Sequence, residues 1–173
     1  MFVSKTYSIT DIYWYSADGS KLSGIYTTGT NSGYTYITRP STSLLFPAVP
    51  TGDFEFTMKV YRPAVLDYRS LLLEFGVSKS NTLLVGWDNG GNNDAKNIRI
   101  YNRQGSQNTS VAQDTNPQYN NGEWMDFTLR FENGTVSLTV GNSTITTSFS
   151  TISRIGNYYE TRSFMSEFKI RTL

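Results

Sequence analysis

The chain has 173 residues, a net charge of +1, no cysteine and no histidine. One domain of this length can bury a sizeable core. Lys and Arg form no cluster, so the basic stripe of a nucleic-acid binder is not visible, and the missing residue types exclude disulfides, thiolate metal sites and the commonest general base.

Aromatic residues are plentiful, with 12 Tyr, 10 Phe and 3 Trp, and Ser, Thr and Asn are abundant. This composition favours strands and turns over helices. The opening residues lack the apolar core of a signal peptide, and no apolar run approaches membrane-spanning length.

In chain order, residues 1–42 mix aromatic residues such as Tyr7, Tyr13, Trp14, Tyr15, Tyr26, Tyr34 and Tyr36 with polar ones. Asp18-Gly19 and Asn31-Ser32-Gly33 are turn signals between short strands, the second leading into Tyr34–Thr38. This segment reads as N-terminal strands or an arm on the remaining domain or on a neighbouring subunit. Pro40, Pro47 and Pro50 bracket Ser43–Phe46, which predicts a short edge strand.

After the turn Thr51-Gly52-Asp53, residues 54–61 alternate cleanly. Phe54, Phe56, Met58 and Val60 share one face; Glu55, Thr57, Lys59 and Tyr61 share the other. Leu71, Leu73, Phe75 and Val77 form the next inward row, and Thr82–Trp87 the strand after it. A polar loop, Asp88–Asp94, leads to a strand over Asn97–Tyr101. Gln104–Gln118 reads as a long loop with one short strand near Val111.

The clearest pattern is 121–148. Met125, Phe127, Leu129 and Phe131 alternate with Trp124, Asp126, Thr128 and Arg130. Asn133-Gly134 is the strongest short hairpin signal, Val136, Leu138 and Val140 continue the apolar face, and Gly141-Asn142 suits a second tight turn. Ile152–Tyr159 and Phe164–Arg171 close the chain, the last with Phe164, Phe168 and Ile170 inward and Ser166 as a polar exception. No segment shows helical periodicity. The expected fold is all-β, an antiparallel β-sandwich with essentially no helix, with 43–173 as one unit and one domain overall.

The order Gly52–Val60, Leu71–Val77, Asn121–Val140 and Phe164–Ile170 resembles the concanavalin A-like lectin/glucanase jelly roll, in particular its laminin-G-like and carbohydrate-binding branches. A Gly-x-Trp strand start (Gly122-Glu123-Trp124), a hairpin and a closing Phe-x-Ile strand (Phe168-Lys169-Ile170) recur there in this order. The resemblance covers about 43–173 and implies the fold; function must be argued from a site. It admits lectins, glycan-binding modules, hydrolases, lyases and viral tail or capsid appendages.

A glycosidase needs two carboxyls on one face, flanking the scissile bond. Glu123 and Asp126 are three apart in a strand and so point to opposite faces, and Asp53 belongs to a turn. The chain therefore reads as non-catalytic. Sugars stack on aromatic rings while polar groups fix their hydroxyls. The densest such combination is Trp87, Asp88 and Asn89 with Asn92, Asn93, Arg99, Tyr101 and Arg103, which a hairpin would gather; Trp87, Asp88, Asn92, Arg99 and Tyr101 are the candidate recognition surface, and the competing reading is an ordinary hairpin with Trp87 in the core. Asp88, Asn92 and Asp94 have oxygen ligands at spacings suited to calcium, but Arg99 stands where a closing glutamate would be, so no cofactor is expected. The sequons at Asn108, Asn133 and Asn142 are what this composition yields by chance.

The leading expectation is a recognition or adhesion module for a cell-surface glycan or other host receptor, set in a virus-particle appendage such as a tail fibre or capsid decoration. Its further partners would be virion subunits or copies of itself, with neither nucleic acid nor membrane. Its location would be the virion or the extracellular surface after release, otherwise the cytoplasm. The alternatives are a structural assembly protein that binds no sugar, and a divergent glycoside hydrolase or polysaccharide lyase.

Overall fold

The computed structural model describes residues 4–7, 13–15, 21–22, 27–38, 43–46, 49–64, 70–87, 96–158 and 161–173. These residues form two antiparallel sheets and no helix. In sheet A the strands run in the order β14 (Ser143–Ser148), β13 (Thr135–Val140), β12 (Trp124–Glu132), β7 (Phe54–Tyr61), β16 (Phe164–Thr172), β5 (Tyr34–Thr38) and β4 (Thr27–Asn31), and β1 (Ser4–Tyr7) pairs with β16. In sheet B the order is β11 (Gln107–Asp114), β10 (Ile98–Gln104), β9 (Asn81–Trp87), β8 (Leu71–Ser78), β15 (Arg154–Asn157), β6 (Ser43–Leu45), β2 (Tyr13–Tyr15) and β3 (Lys21–Leu22). The architecture is the expected concanavalin A-like sandwich.

Alternation sets the inner faces. Phe54, Phe56, Met58 and Val60 of β7 are buried, as are Phe127, Leu129 and Phe131 of β12 and Val136, Leu138 and Val140 of β13. Asn133 and Gly134 take φ of 51° and 75°, the two positive angles that the β12–β13 turn requires. Phe56 joins the layers. Its ring meets Phe127 of its own sheet edge-on at 6.3 Å, and across the core it meets Phe75 at 5.5 Å and Phe46 at 5.1 Å, both edge-on. Each such pair is worth about 0.5–1.5 kcal/mol beyond the area it buries.

Four expectations are corrected. Residues 104–118 are not a long loop: β10 turns tightly through Gly105-Ser106 into the eight-residue β11. Strand β6 is not at an edge, because β15 and β2 pair with it on both sides. Val77 is 39% exposed, since a bulge between Gly76 and Ser78 rotates the end of β8 out of phase. In β16, Phe164 faces outward and Met165 inward. A bulge between Ser166 and Lys169, with Glu167 at φ 56°, resets the phase so that Phe168 and Ile170 are buried.

The strands described within 1–42 are hydrogen-bonded into both sheets: β1, β4 and β5 into sheet A, β2 and β3 into sheet B. The turn expected at Asp18-Gly19 and the residue Tyr26 lie outside the described residues.

Candidate functional site

The outer face of sheet B is set by the same alternation that builds the core. Ile98 and Ile100 of β10 are fully buried, so Arg99, Tyr101 and Arg103 point the other way. The ladder extends each of these into a row. Tyr101 stands opposite Leu84, which stands opposite Glu74, which stands opposite Gly156. Arg99 stands opposite Gly86 and then Leu72; Arg103 stands opposite Thr82, then Gly76 and then Arg154. Leu72 and Leu84 are buried but lie outside the main core cluster. The centre of this face, Leu72 and Leu84 with Glu74 and Thr82, is thus buried, and three arginines and two tyrosines stand around it.

The rim is fixed by hydrogen bonds. Arg99 Nη1 donates to Tyr101 Oη at 2.9 Å. Arg103 donates to Tyr158 Oη at 3.1 Å, to Asn108 Oδ1 at 2.9 Å and to the Lys79 carbonyl at 3.1 Å. Its guanidinium also lies 5.0 Å from the centre of the Tyr158 ring, a distance at which cation and ring attract. Arg154 Nη1 is ion-paired with the Glu74 carboxylate, which is 1% exposed. A carboxylate so buried needs its cation, and the pairing in turn orients Arg154 on the face. Guanidinium forks, phenol rings and a phenol hydroxyl held in this way can bond hydroxyls and stack on sugar C–H faces without being ordered afresh on binding.

Of the residues singled out from the sequence, Arg99 and Tyr101 are thus brought together on one face. Trp87 is not part of it. Its ring is fully buried, lies 5.9 Å from Tyr119 and donates Nε1 to Ser163 Oγ at 3.2 Å. The reason is phase: Leu83, Val85 and Trp87 form the inward row of β9. Asp88, Asn92 and Asp94 lie outside the described residues, and among the described residues no cluster of acidic side chains suits a metal ion. Glu74 and Arg154 were not picked out from the sequence. Glu74 sits among Leu71, Leu72, Leu73 and Phe75, and only the pairing of β8 with β15 brings Arg154 to it.

Four further acids among the described residues bond within the fold. Lys59 pairs with Asp126 at 2.6 Å, and the bond to Asp126 holds the Lys59 pKa above its ordinary value. Glu55 pairs with Arg130 at 3.3 Å and with Arg171 at 3.0 Å. Asp53 accepts from the Asn133 amide at 3.0 Å, and Glu123 accepts from Asn120 at 3.2 Å. A depression of about 590 Å3 lies beside Lys96 and residues 115–120. Its lysine is committed to the fold, donating to the Tyr119 carbonyl at 2.6 Å.

The same two-sheet fold recurs in solved structures at low sequence identity. A protein of unknown function with a galectin-like fold from Bacillus subtilis superposes with a TM-score of 0.62 at 9% identity, covering 98% of each chain. Domain 4 of AbnA, an extracellular GH43 arabinanase from Geobacillus stearothermophilus solved with arabinotriose, gives a TM-score of 0.60 at 14% identity, covering 93% of this chain and 81% of that one. The CBM2 module of the evolved Dit of Lactobacillus casei BL23 phage J-1 gives 0.57 at 14% identity, covering 99% of this chain and 89% of that one. No family model and no curated protein sequence matches the chain. These likenesses show the fold, a β-sandwich of the lectin and carbohydrate-binding-module type.

Proposed function

We propose that this chain is a non-catalytic recognition module that binds a cell-surface glycan on the outer face of sheet B. The observation that carries the reading is the rim of Arg99, Tyr101, Arg103, Arg154 and Tyr158, each side chain held by a hydrogen bond, an ion pair or both. Pre-ordered polar groups beside rings recognise hydroxyls at low entropic cost. Glu74 acts through Arg154, since its own carboxylate is buried. The arabinotriose-bound module and the phage module share this fold and support the ligand class. The setting proposed with it is an appendage of a virus particle that meets a receptor on its host and other virion subunits; that a phage protein carries a module of this fold is in keeping with it.

A glycan array, probed with wild-type protein and with the double variant Arg99→Ala/Tyr101→Ala, tests this. Binding by the wild type should be lost in the variant while its stability falls by less than about 1 kcal/mol. A variant that binds normally moves the site elsewhere. A silent array together with a stable oligomer in solution favours an assembly protein.

A further inference from the structure

The inward rows of β9 and β10 change character at one end of the sandwich. Leu83, Val85 and Trp87 on β9 and Ile98 and Ile100 on β10 face the core. Period 2 carries these rows to Asn81 on β9 and to Asn102 and Gln104 on β10. The ladder agrees: Asn102 stands opposite core Leu83, and Gln104 opposite Asn81. Three carboxamides thus occupy positions where alternation calls for apolar side chains. Burying them without partners would be costly. Instead they line a cleft of about 470 Å3, with Ser148, Phe149 and Ser150 on the sheet A side.

Hydrogen bonds fix what the cleft offers. Gln104 Nε2 donates to Asn81 Oδ1 and to Asn102 Oδ1, each at 3.0 Å. That leaves the Nδ2 groups of both asparagines as donors and Gln104 Oε1 as an acceptor. Phe149, held by its backbone bond to the Gly134 carbonyl at 3.0 Å, is buried in the core and closes the space on the sheet A side, and no charged side chain lines it. Amide donors, an amide acceptor and the serine hydroxyls, with no charge among them, match a neutral polyhydroxylated molecule whose hydroxyls exchange bonds with the amides.

We infer that this cleft is a second binding site, for a neutral sugar unit, distinct from the outer face of sheet B and not dependent on it. The test is nuclear magnetic resonance on the whole chain, following the side-chain NH2 signals of Asn81, Asn102 and Gln104 during titration with arabinotriose, methyl α-mannoside and galacturonic acid. The two neutral probes differ in ring type, and the third carries a charge. At least one neutral probe should move all three amides along a single binding curve, and galacturonic acid should move them less. Asn102→Leu, which suits the inward position, should weaken that binding by about tenfold or more, whereas Arg99→Ala should leave it unchanged. Amides unmoved by both neutral probes would overturn the site, and the wild-type titration decides this even if Asn102→Leu fails to fold. Equal movement by the charged probe, or full binding by a folded Asn102→Leu, would overturn it as well. Loss of array binding in Arg99→Ala/Tyr101→Ala with these shifts intact would separate the two sites.

Discussion

Trp124 donates its indole Nε1 to Asn31 Oδ1 at 3.2 Å, a bond between residues 93 apart in sequence. It joins the first strand of the β4–β5 hairpin to the outer face of sheet A. The rings complete the join. Tyr34 and Tyr36 of the hairpin lie 4.7 Å and 6.4 Å from Trp124, and Tyr36 stacks on Phe164 at 4.0 Å. Phe164 stacks in turn on Tyr61 at 5.3 Å. Tyr34 and Tyr36 of the N-terminal segment, which has little aliphatic material of its own, thus find their packing partners on the sandwich.

Trp124→Phe should keep most of the ring contact and lose the bond, at a cost of about 0.5–1.5 kcal/mol. Trp124→Ala should cost more, about 2–4 kcal/mol, somewhat below the full-core range because the indole is half-exposed. Hydrogen exchange over residues 27–38 should rise in Trp124→Ala before the rest of sheet A is affected. Equal protection of the hairpin in wild type and variant would mean that the rings do not hold it.

The phase of β12 can be checked next. Phe127 is fully buried and Thr128 half-exposed on the opposite face. Urea melts should show Phe127→Ala losing about 3–5 kcal/mol and Thr128→Ala well under 1 kcal/mol. Similar midpoints for the two variants would contradict the observed phase.

Strand β12 was legible because its residues strictly alternate and Asn133-Gly134 marks the turn. Strand β11 was not. Seven of its eight residues are polar or small, and it lies at an edge, where one neighbour imposes little apolar pattern. Besides Val111, the turn residue Gly105, at φ 62°, is the local signal that marks where it starts. In β16 the expected phase held at Phe168 and Ile170 and failed at Phe164 for another reason: a bulge at Glu167 inserts a residue that no period-2 count can anticipate. In the candidate site, Arg99 and Tyr101 were readable as neighbours on one strand face. Glu74 and Arg154 are 80 residues apart, and only sheet pairing unites them.

That pair gives a third prediction. Arg154→Met leaves the buried Glu74 carboxylate without its cation and should destabilise the fold by about 3–5 kcal/mol. Glu74→Met combined with Arg154→Met should recover most of this loss, because both charges are gone. A double variant as unstable as Arg154→Met alone would mean that the two residues act independently.

Calcium offers a fourth check, on residues 88–94. Calcium and EDTA are expected to leave the melting temperature unchanged. A calcium-dependent rise that disappears in Asp88→Ala would instead establish a site there, because a ligand bound only to the folded state stabilises it by mass action.

The last prediction concerns the backbone beneath the recognition face. Gly86 lies on the outer row of β9, opposite Leu72 and Arg99, with φ at +144°. A Cβ there would sit 2.1 Å from the Leu71 carbonyl oxygen, a backbone atom that cannot swing aside. Gly105, in the β10–β11 turn, also has a positive φ, +62°, but a Cβ there meets nothing within 4 Å. The two sites separate strain from collision. Gly105→Ala should cost only the conformational penalty, about 1 kcal/mol. Gly86→Ala adds a forced displacement of β8 from β9 and should cost well over 3 kcal/mol or prevent folding. Thermal melts of the two variants decide it. A Gly86→Ala protein as stable as Gly105→Ala would show that β8 can yield at this point, so that the spacing of these strands under Arg99 and Leu72 is not set by the glycine.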